Sequence, residues 1–396
     1  MAPEQNLINF MLGKELKLLS TRTHRRGFIW ECEKLRAAGE VCPRCATLST
    51  AQSGVAWTTV REEDLRGQPL WLKIKKHRYM CKTCRRPFTE PVSGIMPGRR
   101  TTQRLRKKIV RDCDDFTNLA RVSRRHFCSR SLVGKICYEQ LEIKLRERLT
   151  ARWPKVLGID EHRFKKGKNG FAEFVTMLTD VGKKKIFELA ETRKNETLIK
   201  NLEHIPGRQN VEFVVMDLCR GYRKFAMTVF SQAKIIADKF HVLRLLNPSL
   251  IRERARIHGA RQELHLRRKL LMNRPKLEYF ERSDLDHYLK NHPKLNELYR
   301  YKESLHQLYR TKGYNRAKWA LEKLIEQMQS SEFAEIQTLR RTLKQWQDPI
   351  LEYFRARFTN GFTECMNRIA KLVQRRGCGY RNFRNYRLRT LSACPS

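Results

Sequence analysis

The chain has 396 residues and a formal net charge of +42 at pH 7, because 83 lysines and arginines oppose 41 aspartates and glutamates. Such an excess of positive charge favours nucleic acid as partner, but a nucleic-acid packing protein would share it, so charge alone indicates no activity. No run of about 18 apolar residues occurs, and no basic-then-apolar leader opens the sequence. We therefore expect neither a membrane span nor export, but a cytoplasmic protein associated with the nucleoid.

The first predicted segment, residues 1–98, contains strand-like runs at 55–60 and 69–74. Two C-x-x-C pairs are separated by the 35 residues 46–80, namely Cys42 with Cys45 and Cys81 with Cys84. Two thiolates at this spacing project from one tight turn, so two such turns can enclose one tetrahedral Zn²⁺. Unrelated thiols or a redox pair are the alternatives, but a redox C-x-x-C should introduce a βαβ unit and neither pair does. The spacing predicts a zinc ribbon with one structural zinc ion.

Twelve cysteines in a large, lysine-rich chain without a secretory leader favour reduced thiols over a disulfide framework. Eight of them lack paired spacing, and we expect these to fill hydrophobic cores. They are Cys32, Cys113, Cys128, Cys137, Cys219, Cys365, Cys378 and Cys394.

The second predicted segment, residues 99–150, is basic and helical in period. We predict helices at 103–116 and 117–126, a turn at Phe127–Cys128, and a third helix from the cap Ser129 to Gln140. Four apolar side chains of the third helix would pack inward, namely Leu132, Val133, Ile136 and Tyr138. Its exposed face would then present Arg130, Ser131 and Lys135 to the major groove of DNA, as in a helix-turn-helix domain. The alternative is an ordinary basic helical hairpin.

The third predicted segment, residues 151–242, alternates short apolar runs with helical ones, which is typical of α/β organisation. The predicted strands are 156–159, 174–178, 185–189, 212–216 and 234–237. The predicted helices are 196–204 and 222–229. The element order is therefore β-β-β-α-β-α-β.

The fourth predicted segment, residues 243–347, is helical and interrupted by Pro275, Pro293 and Gly313. We expect Trp319 and Trp346 to pack a separate core there, because large aromatic side chains are usually buried rather than free for base stacking. Five arginines of this segment would contact the DNA backbone, or else form a solvated basic face: Arg252, Arg254, Arg256, Arg267 and Arg268. The last segment, residues 348–396, is helical and contains Glu364.

Three carboxylates stand out in this basic chain. Asp160 follows the apolar run 156–159 and Asp217 follows 214–216, so both are expected at strand ends. A glutamate from a helix crossing the sheet, Glu364, could join them to hold two Mg²⁺ ions about 4 Å apart for phosphoryl displacement. Taken singly, each acid is as compatible with a helix cap or a loop. Rival acids stand nearby: Glu161, Asp180, Asp238 and Glu352.

Longer motifs carry a resemblance to a known family. The segments 157–162, 166–167, 217–222, 237–242, 360–364 and 377–383, together with Asn367, Lys371 and the C-x-x-C pairs with 86–90, resemble ISL3-family insertion-sequence transposases. The resemblance implies an RNase H-like α/β catalytic core with a mixed five-stranded sheet and an α-helical insertion. It also implies a DDE triad on Asp160, Asp217 and Glu364.

The same resemblance suggests supporting residues. Asp238 and His241 match a D-x-x-H element, in which we expect His241 to organise the strand end rather than to react directly. Asn367 and Lys371 match supporting positions on the glutamate helix. The chain departs from the family at Cys365, where glycine commonly follows the glutamate, and a larger side chain there could crowd the metal site or face the core.

The leading hypothesis is a DNA transposase. Its zinc ribbon and helix-turn-helix domain would bind terminal inverted repeats, while two Mg²⁺ or Mn²⁺ ions would assist hydrolysis of a phosphodiester and transfer of the 3′-OH to target DNA. Because two double-stranded ends must be paired, we expect a homodimer or a higher oligomer on DNA. The alternatives are a non-catalytic, domesticated DNA-binding regulator and an RNase H-like nuclease that cuts without joining.

Overall fold

The computed structural model describes residues 15–35, 38–115, 118–146, 151–166, 172–259 and 264–393. Gly167 and Cys394, both named in the sequence predictions, lie outside these ranges. Two compact units divide the chain: Met1–Lys144 with Arg376–Cys378, and Leu145–Arg375 with Gly379–Ser396. None of the described helices is long and apolar enough to cross a membrane.

Strands make up the first part of the first unit. They are β1 (Leu16–His24), β2 (Gly27–Lys34), β3 (Glu40–Val41), β4 (Leu48–Ser49), β5 (Gln52–Leu65), β6 (Gln68–Met80) and β7 (Pro87–Thr89). The main sheet has the order β1-β2-β6-β5, with β7 against β6, while β3 pairs with β4. The loop residues of the β5–β6 hairpin, Arg66 and Gly67, have φ of 49° and 73°, as a tight two-residue hairpin loop requires. Both predicted strand-like runs lie within this hairpin and are confirmed as strands.

Three helices follow in the same unit. They are α1 (Gln103–Asp115), α2 (Leu119–Arg125) and α3 (Arg130–Lys144). Ser129 caps α3 as predicted, because its hydroxyl accepts the backbone N–H of Leu132 at 3.2 Å. Val133 and Ile136 are buried, whereas Leu132 and Tyr138 are only half-buried. The three predicted helices are thus confirmed, with shifts of a few residues at their described ends; the predicted boundary at residues 116–117 lies outside the described residues.

A buried ionic cluster joins the sheet of this unit to its helices. His126, which follows α2, lies 3.1 Å from Asp64 of β5 and 2.8 Å from Asp112 of α1. Arg61 of β5 donates to Asp64 at 2.5 Å. Since buried charges are stable only when paired, this cluster holds α1 and the end of α2 against the strand β5.

A mixed five-stranded sheet forms the centre of the second unit. Its strands are β8 (Val156–Lys166), β9 (Ala172–Asp180), β10 (Lys185–Ala190), β11 (Phe213–Met216) and β12 (Lys234–Ala237). Their order is β10-β9-β8-β11-β12, in which β10, β9 and β8 are antiparallel and β8, β11 and β12 are parallel. Helices α4 (Asn195–Leu202) and α5 (Arg220–Val229) connect the later strands. The predicted order β-β-β-α-β-α-β is confirmed.

The two faces of this sheet pack against different helices. Ile159 and Met216 face the core that contains α4 and α5, whereas Val215 faces the core formed with the later helices. Because side chains alternate along a strand, Asp160 and Asp217 lie on the same face as Val215. The alternation therefore directs both aspartates to one side of the sheet.

The rest of the second unit is helical. Its described α-helices are α6 (Lys239–Leu243), α7 (Asn247–His258), α8 (Leu264–Leu271), α9 (Tyr279–Lys290), α10 (Pro293–Leu308), α11 (Tyr314–Gln327), α12 (Ala334–Gln345), α13 (Gln347–Ala356), α14 (Gly361–Arg376) and α15 (Phe383–Ala393). Pro275, Pro293 and Gly313 lie at helix starts or between helices, as predicted. α14 contains Glu364, which confirms the predicted glutamate helix.

The expectation of a separate helical core was wrong. Trp346 is buried, but in the same hydrophobic cluster as Val215 and Ile236 of the sheet. Trp319 is 64% exposed and belongs to no core. The physical reason is that an open sheet face must be covered, so the helices between β12 and α14 serve as the second layer of the α/β domain.

Candidate active site and metal centre

Four cysteines meet in the first unit. The Sγ atoms of Cys42 and Cys84 are 3.7 Å apart, those of Cys45 and Cys81 are 3.4 Å apart, and all four lie within 4.8 Å of one another. Thiolates bound to one tetrahedral Zn²⁺ at about 2.3 Å would be separated by about 3.8 Å. The four sulfur atoms therefore fit a closed structural zinc site.

The two C-x-x-C turns have the same local geometry. The residue after the second cysteine has a positive φ in both turns, 57° at Ala46 and 51° at Arg85. In the first turn, the backbone N–H of Ala46 donates to the carbonyl of Cys42. The N–H of Cys84 is the largest influence on Cys81, whose pKa is lowered to about 6. Thiolates stabilised by backbone N–H groups are suited to bind a metal ion.

The described cysteines outside the two C-x-x-C pairs divide into three groups by burial. Cys32, Cys113 and Cys137 are buried, as predicted for core residues. Cys128 and Cys219 are half-buried. Cys365 and Cys378 are exposed, so the core prediction was wrong for both, and Cys365 neither faces the core nor is enclosed at the carboxylate cluster.

Parallel pairing brings three aspartates to one level of the second unit's sheet. Ile159 of β8 pairs with Met216 of β11, which pairs with Ala237 of β12. The next residue on each strand is an aspartate, namely Asp160, Asp217 and Asp238. One expectation was wrong: Asp160 does not end β8, because antiparallel pairing with β9 continues the strand to Lys166. Only its parallel pairing with β11 ends there.

Helix α14 brings Glu364 to the sheet through a close contact at Gly158. The hydroxyls of Thr363 and Thr179 are 2.7 Å apart. A Cβ on Gly158 would lie 2.3 Å from the Thr363 oxygen and 2.5 Å from the Thr179 oxygen. Only a residue without a side chain lets α14 approach β8 so closely.

Substitution of this glycine tests the contact. We expect Gly158→Ala to displace α14, to lower stability by about 1–3 kcal/mol, as overpacking usually does, and to reduce any activity that requires Glu364. Thermal melting of the purified variant measures the stability. The matched control is Gly134→Ala in α3, where the nearest atom would be 3.7 Å away and helix propensity should make the change neutral or favourable. Equal melting of Gly158→Ala and wild type would contradict the packing argument.

Asn360 and Asp238 secure the start of α14. The side-chain N–H groups of Asn360 donate to the Ile159 carbonyl at 3.1 Å and to Asp217 Oδ1 at 3.4 Å. Its backbone N–H donates to Asp238 Oδ1 at 2.8 Å. Asp238 is fully buried, and its Oδ2 accepts the backbone N–H of His241 at 3.3 Å, so it caps α6. The buried Asp238 therefore has a structural role at the edge of the site.

His241 lies among the carboxylates. Its Nδ1 is 2.9 Å from Asp217 Oδ1, 3.2 Å from Asp238 Oδ2 and 4.0 Å from Glu364 Oε1. Hydrogen bonds to Asp217 and then to Asp238 raise the pKa of His241 to about 10. The imidazolium thus links carboxylates contributed by β11, β12 and α14.

Asp160 is held by a chain of buried polar groups. Asn367 of α14 donates from Nδ2 to Asp160 Oδ2 at 2.5 Å. Its Oδ1 accepts from His162 Nδ1 at 2.8 Å, so His162 Nε2 must accept from the Tyr386 hydroxyl, 2.6 Å away. Burial lowers the pKa of His162 to about 4, and the neutral ring that this hydrogen-bonding chain requires is therefore favoured.

The pKa of Asp160 is unusually high for an aspartate. Burial, followed by the charge of Asp217, raises the pKa of Asp160 to about 6. Carboxylates that are partly removed from water and placed close together repel each other unless a cation lies between them. Asp160, Asp217 and Glu364 are all partly exposed at this edge of the sheet, and their oxygen atoms are ligands that Mg²⁺ and Mn²⁺ accept.

The rival acids have other partners. Glu161 points away from Asp160 and accepts the Tyr222 hydroxyl at 2.9 Å. Asp180 accepts the backbone N–H of Lys183 in the β9–β10 turn at 2.9 Å, and Glu352 pairs with Lys234 and Arg355. The structure therefore brings together Asp160, Asp217, Asp238, His241 and Glu364.

Several residues of the site were not predicted from the sequence. Asn360 lies in the segment 360–364, but the spacing of residues along the sequence does not predict the two hydrogen bonds of its side-chain amide. His162 lies 205 residues from Asn367 and 224 residues from Tyr386 in sequence. The presence of His162 two residues after Asp160 on the same strand face was the one available hint.

The predicted DNA-contacting residues have different environments. Arg130, Ser131 and Lys135 are exposed on α3, and Arg252 and Arg267 are exposed on α7 and α8. Lys371 is exposed on α14. Arg256 pairs with Glu253, and Arg268 pairs with Glu281. Arg254 is only 1% exposed and donates to the Gly259 carbonyl, so its predicted phosphate contact was wrong. It stabilises the end of α7 instead.

Comparison with known proteins gives three findings. A family model described as a transposase of the ISL3 type matches residues 157–390. A second model, described as the zinc-finger of the transposases IS204, IS1001, IS1096 and IS1165, matches residues 38–84. The transposase for insertion sequence element IS1001 of Bordetella parapertussis is 26% identical over 363 residues, which cover 85% of each chain. The zinc-finger match and the four-cysteine cluster together support a structural zinc ion.

Proposed function

The chain belongs to the ISL3 family of insertion-sequence transposases, and from that premise we propose that it cleaves and joins DNA through the triad Asp160, Asp217 and Glu364. Its substrates are the terminal inverted repeats of an insertion sequence and a target DNA. The reaction comprises hydrolysis of a phosphodiester and transfer of the freed 3′-OH.

One observation carries this proposal. The parallel register places Asp160 beside Asp217, and His241 lies 2.9 Å from Asp217 and 4.0 Å from Glu364. Residues from two strands and one helix thus meet at one edge of a mixed sheet, which is consistent with an RNase H-like catalytic core. A non-catalytic protein would not need to place a partly buried carboxylate beside a second one, because that arrangement costs stability.

The donor set supports binding of two divalent cations. Asp160, Asp217 and Glu364 would hold Mg²⁺ or Mn²⁺, which when bound polarise the phosphate and activate the attacking oxygen. Burial and the neighbouring Asp217 carboxylate raise the pKa of Asp160, and a cation bound between the two acids would relieve their repulsion. We propose that Asp238 and His241 keep Asp217 and the start of α14 in place rather than bind substrate.

The remaining residues position these groups. Asn367 donates a hydrogen bond to one carboxylate oxygen of Asp160. The other oxygen accepts the backbone N–H of Glu161 at 2.7 Å. His162 and Tyr386 fix the orientation of the Asn367 amide. Lys371, which is exposed one turn after Asn367, is available to a DNA phosphate.

DNA binding involves both units in this proposal. The segment 1–98 acts as a zinc-ribbon domain, and the segment 99–150 acts as a helix-turn-helix domain that presents Arg130, Ser131 and Lys135 to the terminal repeat. In the segment 243–347, the exposed Arg252 and Arg267 contact the DNA backbone. The segments 151–242 and 348–396 form the catalytic core, and two or more copies pair the two DNA ends.

A cleavage and strand-transfer assay tests the proposed function. Purified protein is incubated with labelled terminal-repeat DNA, a target plasmid and Mg²⁺, and the products are resolved by electrophoresis. We expect nicked ends and joined products. Cutting without joining would indicate a nuclease, and specific binding without any product would indicate a regulator.

Removal of the Asn367 amide tests the positioning of Asp160. We expect Asn367→Ala to lower the cleavage rate about 10- to 100-fold, as loss of a group that orients a metal ligand usually does. The Mg²⁺ concentration for half-maximal rate should rise, which a general loss of folded protein would not produce. Tyr386→Phe should give a smaller change in the same direction. The control is Cys365→Ala, which alters an exposed neighbour and should leave rate and Mg²⁺ dependence unchanged. An Asn367→Ala enzyme with normal Mg²⁺ dependence would contradict this role.

A further inference from the structure

A surface groove lies between α10 and α11 of the second unit. Its volume is about 680 Å³, within the range of sites that hold a small organic molecule. Trp319 lines it and is 64% exposed, although aromatic side chains of this size are usually buried. No residue of the carboxylate cluster lines this groove.

The polar lining of the groove is basic and rich in amides. Arg316 and Lys323 supply two positive charges, and the exposed side chains of Gln307, Asn315 and Gln327 supply amide groups. No aspartate or glutamate is among the described residues that line it. The groove therefore complements an anion that also carries hydrogen-bond donors and acceptors.

Trp319 already holds a cation on its ring. The ammonium group of Lys323 is 4.8 Å from the centre of the indole, as a cation attracted to an electron-rich ring face would be, and the 64% exposure of Trp319 leaves the ring accessible. A lysine side chain is flexible, so the same ammonium group can pair with a phosphate while the indole stacks on the adjoining base. An exposed ring and a cationic group that could pair with a phosphate thus occur one helical turn apart on α11.

We propose that this groove binds an unpaired DNA strand, with a base stacked on Trp319 and the adjoining phosphates held by Arg316 and Lys323. The proposal rests on the proposed function insofar as DNA is the substrate. Unpaired rather than duplex DNA fits because stacking needs a base face that is not covered by neighbouring bases. The amides of the groove can contact base edges without strong sequence preference.

Binding of labelled oligonucleotides tests the proposal. Fluorescence anisotropy is measured with the full-length protein, a mixed-sequence single strand and the corresponding duplex at about 0.15 M salt. We expect Trp319→Ala to weaken single-strand binding about tenfold, from the loss of one stacked base, and to leave duplex binding unchanged. Trp319→Phe should keep most of the affinity. The matched control is Lys318→Ala, which removes a charge that pairs with Glu322 on the same helix. It should weaken single-strand binding less than Trp319→Ala does.

The salt dependence separates stacking from charge. Trp319→Ala should leave the slope of log affinity against log salt unchanged, whereas Arg316→Ala and Lys323→Ala should each reduce it by about 0.7, the value for one phosphate of a single strand. Equal weakening of single-strand and duplex binding by Trp319→Ala would overturn the proposal. If Trp319→Ala changed the solution mass of the protein but left its affinity for single strands unaltered, the groove would be a contact between two copies of the chain. That result would also overturn the proposal.

A photochemical cross-link locates the contact. A single strand that carries 5-iododeoxyuridine is irradiated with the wild-type protein, and the tryptic peptides are analysed by mass spectrometry. We expect the adduct on the peptide that contains Trp319, whereas adducts confined to other peptides would refute the assignment. The binding and cross-linking measurements need neither Mg²⁺ nor cleavage, so failure of the catalytic proposal would not alter them.

Discussion

Asp217→Ala is expected to abolish DNA cleavage and strand transfer while terminal-repeat binding persists. Asp217 contributes the carboxylate at the end of β11 and contacts both His241 and Asn360. Its loss would remove a metal ligand and one of the groups that hold the edge of the site together. We expect the cleavage rate to fall by at least about a thousandfold, because stabilisation of the reacting phosphate would be lost. The rate is measured from nicked terminal-repeat DNA, and binding is measured by anisotropy without metal.

The control for this substitution removes a carboxylate from the same part of the chain. Glu212 lies just before β11, is exposed and pairs with Lys155 at 3.1 Å. We expect Glu212→Gln to retain cleavage and DNA binding. Retained cleavage by Asp217→Ala would contradict the triad. Loss of both cleavage and binding by Asp217→Ala, together with a lower melting temperature, would indicate a structural role instead.

Cys81→Ser is expected to cause the largest loss of stability. Cys81 lies 3.4 Å from Cys45, and removing one of four thiolates would open the closed zinc site. Because binding of a structural zinc contributes about 10–16 kcal/mol to folding in small zinc domains, the first unit should lose its folded state. Zinc content by elemental analysis should fall from one ion per chain to none, and terminal-repeat binding should be lost.

An exposed cysteine provides the comparison. Cys378 lies outside the four-cysteine cluster, so Cys378→Ser should keep one zinc ion and normal DNA binding. If Cys81→Ser also kept one zinc ion per chain and melted as the wild type does, the four cysteines would not form the site described above.

The order of strands and helices along the second unit's sheet-forming segment could be predicted because its signals are local. Short apolar runs indicate strands, and helical runs separate β10 from β11 and β11 from β12. The acidic residue directly after each of two apolar runs then suggested adjacent strand ends. The structure supplies the additional fact that Asp160 lies within a longer strand, because pairing with β9 continues to Lys166. Pairing between strands is not recorded in the local pattern.

Tertiary contacts set the limits of the sequence analysis. Arg254 is the type of residue that contacts DNA, but α7 directs its side chain inward to the Gly259 carbonyl. Trp319 is the type of residue that usually fills a core, but its position on α11 leaves it exposed. Likewise, the contact between His162 and Tyr386 joins residues 224 positions apart. Such contacts depend on which helix face meets which neighbour, and single-residue properties do not determine this.

The positions of bound metal ions would show whether Asp160, Asp217 and Glu364 form one site. A crystal of the full-length protein with terminal-repeat DNA is soaked in Mn²⁺, and anomalous scattering is measured. We predict two peaks coordinated by Asp160, Asp217 and Glu364, beside a phosphate of the DNA. A peak held by Asp217, Asp238 and His241 alone, whose ligand atoms lie within 4.8 Å of one another, or no peak at this edge of the sheet, would contradict the proposed triad.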